Sequence, residues 1–265
     1  MRISADDLGV RLGGRDILHG LDFSAEPGTV TALVGPNGSG KTTLLKTLCG
    51  MLPHRGRVRF DEDATTPREA IGYMPQDTAA RAVLTVFEVV LLGRLSRLGV
   101  KVSEGDLAAA SRALDVVGVA HLADVHIGEL SGGQRQLVHF AQVLAREPRV
   151  IFLDEPTSAL DLRNQLHLLD LVRRETRARG LTTVVTLHDL NAAARFADRL
   201  AVLHDGRLRR CGAPRAVIDD DLLAEVWGVT ARVTLDEEAL PTVTPLGALA
   251  AGSSRPAAAA PGGRA

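Results

Sequence analysis

Two short apolar blocks stand out along the chain because they lack the alternation of a half-exposed strand. Val30 to Val34 (VTALV) and Val150 to Leu153 (VIFL) follow the pattern of strands buried on both faces. DILHGLDFSAE, VRF and AIGYM read as further strands. From Thr85 to roughly Arg146 the spacing turns helical, through EVVLLG, DLAAASRALDVVG and a helix that opens after Ser131. From Pro241 the stretch PTVTPLGALAAGSSRPAAAAPGGRA fills with Ala, Gly, Pro and Ser, which predicts a disordered tail over 241–265. No repeat of about 20 to 50 residues is present, so solenoids and propellers are out.

The helix after Ser131 starts against its own propensity. Gly132 and Gly133 each cost roughly 1 kcal/mol relative to alanine. Ser131 and Gln134 form a capping-box pair, which satisfies two orphan N–H groups but leaves the glycines unexplained. Glycine suits a place where another group approaches the backbone. A bare helix N-terminus offers N–H donors and the positive end of the dipole to an anion such as phosphate.

A phosphate loop is present elsewhere. VTALV runs directly into GPNGSGKTT, residues 35–43, in which Gly35, Gly40, Lys41 and Thr42 fit G-x-x-x-x-G-K-[ST] at a strand-to-helix turn. Pro36, Asn37, Gly38, Ser39 and Thr43 complete the candidate nucleotide-binding loop. Backbone N–H groups from Gly38 to Thr42 are expected to surround the β- and γ-phosphates, Lys41 to add a point charge, and Thr42 to ligate magnesium. The bland alternative is a glycine turn with an exposed lysine. The second apolar block ends in Asp154 and Glu155, and neighbouring strand side chains point to opposite faces. Asp154 is therefore assigned to magnesium through water, and Glu155 to the attacking water as base or orienter. The alternative there is a pair of acids capping a loop before Pro156.

Composition narrows the classes. At 265 residues and 45% hydrophobic content the chain can bury one large core with a subdomain. A formal net charge of -1 argues against nucleic-acid binding through a general basic field. Cys49 and Cys211 have neither disulfide nor zinc spacing and read as small apolar residues. Arg173, Arg174, Arg177 and Arg179 read as a solvated face at a helix C-terminus. No signal-peptide h-region and no uncharged apolar run long enough to span a bilayer occurs, which predicts a cytosolic chain.

With GPNGSGKT, LSGGQ and FLDEPTSALD in that order, the chain resembles the nucleotide-binding subunits of ABC transporters over about residues 3–234. The resemblance extends to Gln76 in YMPQD as the Q-loop glutamine, a second group at the metal and the reaction centre. Ser158 to Asp161 resembles the D-loop, with Asp161 at the nucleotide, and His188 in LHDLN the switch histidine. It implies an α/β fold: a RecA-like P-loop NTPase core with an antiparallel β subdomain and an inserted helical subdomain at about 85–146, the whole domain spanning 1–240. The strand-like segments above are assigned to the β subdomain. It also implies a homodimer in which Ser131, Gly132, Gly133 and Gln134 of one subunit close over ATP and Mg2+ held by the other. Family members place an aromatic about 29 positions before the loop lysine to stack on adenine; that register falls on Leu12.

The branch is read from TVFEVVLLGR and LHDLNAAARFADR, which resemble importer subunits for iron-siderophores, haem and cobalamin. The implied partners are transmembrane permease subunits, docked near Gln76 to Arg94 with Val83, Leu84 and Val86 as candidates, and indirectly an extracytoplasmic substrate-binding protein. The implied location is the cytoplasmic face of the inner or plasma membrane. The alternatives are an importer of another metal or an oxyanion, and a soluble ABC ATPase acting on DNA or ribosomes. About ninety residues without sustained heptads separate the phosphate loop from LSGGQ, and the chain has room for one such domain, which disfavours the soluble class. A scaffold with dead sites is disfavoured because Lys41, Asp154, Glu155 and His188 are all present.

Overall fold

The chain opens with a long hairpin, β1 (Ile3–Leu12) and β2 (Arg15–Ala25), whose register slips three times along its length. The computed structural model describes residues 1–61, 68–76, 83–94, 102–158 and 160–249. After the hairpin come β3 (Val30–Val34), helix α1 (Lys41–Leu48) and β4 (Arg55–Phe60). β4 pairs antiparallel with β1, so that one three-stranded sheet has the order β2-β1-β4.

β5 (Ile71–Met74) does not join that sheet. It pairs in parallel with β6 (Val150–Leu153), at the edge of a six-stranded sheet ordered β5-β6-β7-β3-β8-β9. The assignment of AIGYM to the β subdomain is therefore corrected: the segment is a strand of the core. Pairing is a property of distant partners, and its own residues do not record it. Between β5 and β6 the helices α2 (Val86–Leu92), α3 (Glu104–Val117) and α4 (Gly132–Ala145) form the helical insert. Capping boxes start all three, from Thr85 with Glu88, Ser103 with Asp106, and Ser131 with Gln134.

Helix α5 (Leu162–Arg179) leads to β7 (Thr182–Thr186), and α6 (Leu190–Phe196) to β8 (Arg199–His204) and the antiparallel β9 (Arg207–Gly212). Inside the sheet, alternate residues sort to two faces. Ala32, Val34, Ile151 and Leu153 pack with the helices, whereas Leu33, Val150 and Phe152 pack with α1 and the three-stranded sheet. The phosphate loop thus sits at the C-terminal end of a central strand clad on both sides.

Three further expectations are revised. The tail was expected to be disordered from 241, yet β10 (Val229–Leu235) and β11 (Pro241–Ala248) form an antiparallel hairpin. Asn191 of α6 fastens it: its Nδ2 donates to the Val243 carbonyl (3.1 Å), and its Oδ1 accepts from the Val243 N–H (2.7 Å). Residues 250–265 lie outside the described residues. Second, Cys49 is buried but Cys211 is exposed on β9. Third, among the docking candidates Val86 is core, Leu84 is half-buried, and Val83, 85% exposed, presents its apolar side chain to solvent. Positions 77–82 of that segment lie outside the described residues. The four arginines in the C-terminal half of α5 are individually engaged: Arg173 and Arg179 pair with Asp170 and Glu175, Arg174 also pairs with Glu175, and Arg177 with Asp198.

Candidate functional site

Two strand ends and one loop build the site. The turn after β3 brings Gly35 so close to the Leu203 carbonyl of β8 that a Cβ would collide with it, and its φ of 149° lies where L residues are strained. The sharp turn therefore depends on glycine. It delivers Lys41 and Thr42 to the start of α1 and leaves Gly40, left-handed at φ 103°, as the helix N-cap with no side chain in front of the N–H groups. Lys41 is buried and its Nζ donates to the carbonyls of Gly35 (2.8 Å) and Pro36 (3.0 Å). Burial lowers its pKa, while the charges of Glu155 and Asp154 push the other way. Ser39 is also buried, its hydroxyl without a hydrogen-bond partner among the described residues.

Asp154, at the end of β6, is 1% exposed and fully engaged. Its Oδ1 accepts from the Thr42 and Thr186 hydroxyls, both at 3.0 Å, and its Oδ2 from the Tyr73 hydroxyl at 3.3 Å. Thr42 and Asp154, which the sequence places 112 positions apart, are thus side by side. Their hard oxygen donors suit magnesium.

Glu155 has a left-handed backbone (φ 48°), a conformation that a non-glycine residue holds only under external constraint. Two constraints are visible. Its N–H donates to Thr186 Oγ1 at 2.6 Å. Its carboxylate is gripped at both oxygens, by Gln76 Nε2 and by His188 Nε2, each at 2.6 Å. A carboxylate only accepts, so the His188 proton resides on Nε2. The structure brings Gln76, Glu155 and His188 together, as the sequence reading requires.

A cleft of about 340 Å³ over the loop is lined by Ile17, Asn37, Gly38, Gly40, Lys41, Thr42, Thr43 and Glu155. Pro36 lies beneath it, behind the lysine. Leu12 is not in this lining. It sits at the tip of the β1–β2 hairpin opposite Arg15, 36% exposed, while Ile17 of the same hairpin reaches the cleft. Ile17 was missed because an isoleucine in a strand carries no ligand signal. Thr186 and Tyr73 were missed too, although Thr186 closes a five-residue buried run just before LHD, a signal that could have found it. Ser131, Gly132, Gly133 and Gln134 are absent from the lining as well, and stand at the start of α4. Asp161 caps α5. Ala159 within the D-loop resemblance lies outside the described residues.

The order of elements and this geometry find a match among known proteins. The ABC transporter family model matches residues 18–158. The chain belongs to the ABC transporter family. It is 41% identical over 248 residues to the hemin import ATP-binding protein HmuV of Rhizobium meliloti (strain 1021), covering 88% of this chain and 94% of that protein. To the ferric enterobactin transport ATP-binding protein FepC of Escherichia coli (strain K12) it is 35% identical, over 93% and 94% of the two chains. Among solved structures it resembles the dimeric post-hydrolysis state of the ATP-binding cassette MJ0796 bound to ADP and Pi. The TM-score is 0.70 at 28% identity, covering 80% of this chain and 98% of that one. The α/β fold with a P-loop core is confirmed. The protein is an ATP-binding subunit whose ATP hydrolysis is coupled to transport. No helix among the described residues is long and apolar enough to cross a membrane.

Proposed function

We propose that two copies of this chain sandwich two ATP molecules and drive import of an iron chelate, haem or a ferric siderophore, through a separate permease at the cytoplasmic face of the membrane. Support for the cargo comes from the functions of the relatives, hemin import and ferric enterobactin transport. An extracytoplasmic binding protein would deliver that cargo. Support for the sandwich comes from α4: its exposed N-terminal cap lies outside the cleft of its own subunit, free to meet another.

In this reading Lys41 and the N–H groups of residues 38–42 hold the β- and γ-phosphates. Thr42 and Asp154, with Gln76, would hold Mg2+, which when bound neutralises phosphate charge. Glu155 takes the proton of the attacking water. Gln76 and His188 keep its carboxylate aimed, and the observation that carries the reading is that double grip at 2.6 Å on either oxygen. The isosteric Glu155→Gln keeps shape and loses basicity. It is expected to bind ATP normally, to lose turnover by at least about a hundredfold, and to elute as a dimer in gel filtration with ATP and magnesium. A Glu155→Gln protein that remains monomeric and hydrolyses ATP would refute it.

A further inference from the structure

The second glycine at the start of α4, Gly133, has another explanation inside the same subunit. A Cβ built on Gly133 would lie 2.7 Å from both Cγ and Nδ2 of Asn164 and 3.1 Å from its Oδ1. Real side chains do not tolerate such distances. Usually a flexible neighbour swings aside at little cost, but Asn164 is not free to do so. It is the third residue of α5, whose N-cap is Asp161. Asp161 Oδ1 accepts from the Asn164 backbone N–H (2.8 Å) and its Oδ2 from the Asn164 side-chain Nδ2 (3.1 Å). Rotating the amide away breaks a charge-assisted hydrogen bond and hands that carboxylate oxygen of the exposed cap back to solvent. The alternative is for α4 to retreat, and α4 is packed along its length against α2 and α3 through buried Val138, Phe140, Ala141 and Leu144. Close-packed helices shift as units.

We propose that Asn164 is a positioning residue: pinned by Asp161, it forms the seat on which the backbone of Gly133 rests, and so fixes where the signature helix begins relative to the loop that ends in Asp161. Gly133 is glycine because Asn164 fills the space that a Cβ needs. The contact couples Asp161 and the LSGGQ segment within one chain, before any partner or nucleotide is engaged. Its effect on turnover rests on the ATP-sandwich reading; its effect on stability does not.

The steric origin gives the proposal a reciprocal test. Gly133→Ala, Asn164→Ala, the double variant and wild type are prepared as full-length chains. Melting temperature and steady-state ATPase are measured for each. Gly133→Ala is expected to melt lower and to lose at least tenfold in kcat, with KM for ATP within twofold, since its own phosphate loop is untouched. Asn164→Ala, which removes the seat without a clash, is expected to lose about threefold in kcat, and no loss at all would overturn the positioning role. Removing the amide opens the space for the new methyl, so the double variant is expected to exceed Gly133→Ala at least fivefold in kcat and to melt higher than it. Combining Gly133→Ala with the volume-conserving Asn164→Asp should give no rescue. If Gly133→Ala does not fold alone, folding of the double variant is the rescue. A double variant no better than Gly133→Ala in either property overturns the proposal. Rescue of melting without rescue of turnover overturns the positioning role and assigns Gly133 to the partner's phosphate. Failure of the sandwich reading would show differently, as a monomeric Glu155→Gln with the melting-temperature rescue intact.

Discussion

Replacing Thr186 with Val removes one hydroxyl and keeps the volume, and the structure states what that hydroxyl does. It is fully buried, donates to Asp154 Oδ1 at 3.0 Å and accepts from the N–H of Glu155 at 2.6 Å. The first bond is made to a carboxylate and is worth roughly 1.5–3 kcal/mol; a buried N–H left without a partner costs roughly 1–3 kcal/mol more. Together they span roughly 2.5–6 kcal/mol, and with water taking up the freed N–H the loss is about 3 kcal/mol. For a chain of this size that corresponds to a melting temperature lower by about 6–12 °C. Turnover should suffer more than stability suggests, because the lost bond helps to hold Glu155 at positive φ. Once released, the carboxylate leaves the grip of Gln76 and His188, and up to about a hundredfold of general-base contribution is at stake. Thr186→Ser keeps both bonds and should stay within about threefold of wild type. The assay is thermal unfolding with steady-state ATPase on the three proteins. Val at 186 with a loss below about 1 kcal/mol and wild-type kcat would refute the claim that this hydroxyl holds the two acids in place.

Two other outcomes can be checked. His139 is buried in α4 with Nε2 unpartnered among the described residues; burial chiefly lowers its pKa, a hydrogen bond to the Gln142 side chain raises it, and the Arg135 charge lowers it further. The unfolded chain takes up this proton near pH 6.5 while the folded one does not. Stability is therefore expected to fall as pH drops below about 6.5, and wild type should lose more between pH 7.5 and 5.5 than His139→Leu in urea titrations; equal losses would contradict this. At the nucleotide, Leu12→Tyr adds a π-face at the hairpin tip and is expected to tighten a fluorescent ATP analogue several-fold with kcat unchanged, while Ile17→Ala weakens it. No change for Leu12→Tyr together with weakening for Ile17→Ala would assign the apolar contact to Ile17.

The parts legible in the sequence were those whose chemistry is local. A phosphate loop needs its glycines, Lys41 and Thr42 consecutively, so GPNGSGKTT announces itself. The strand β1 did not. ISADDLGVRL carries Asp6 and Asp7 in mid-strand, with Asp7 at φ 50° and two register shifts between Ala5 and Val10 that erase period-two alternation. β11 was hidden by Pro241 and Pro245; the first opens the strand and the second faces Ala231 at a register shift, places where proline is tolerated. Thr186 and Tyr73 lie far in sequence from the acids they touch, as Asn164 does from Gly133, and only the fold assembles them.

The position of β3 has a consequence for how the protein is made. Residues 30–34 form a central strand, but both neighbours, β7 and β8, begin about 150 residues later. At ribosomal rates of roughly 5–20 residues per second, VTALV waits about 7–30 s for its partners. During that interval the nascent chain presents an unpaired, largely apolar strand joined to a nucleotide loop that has nothing to close against. The phosphate loop is therefore among the first segments synthesised, yet it becomes competent only after Asp154, Glu155 and His188 have been made and β7 and β8 have paired with β3.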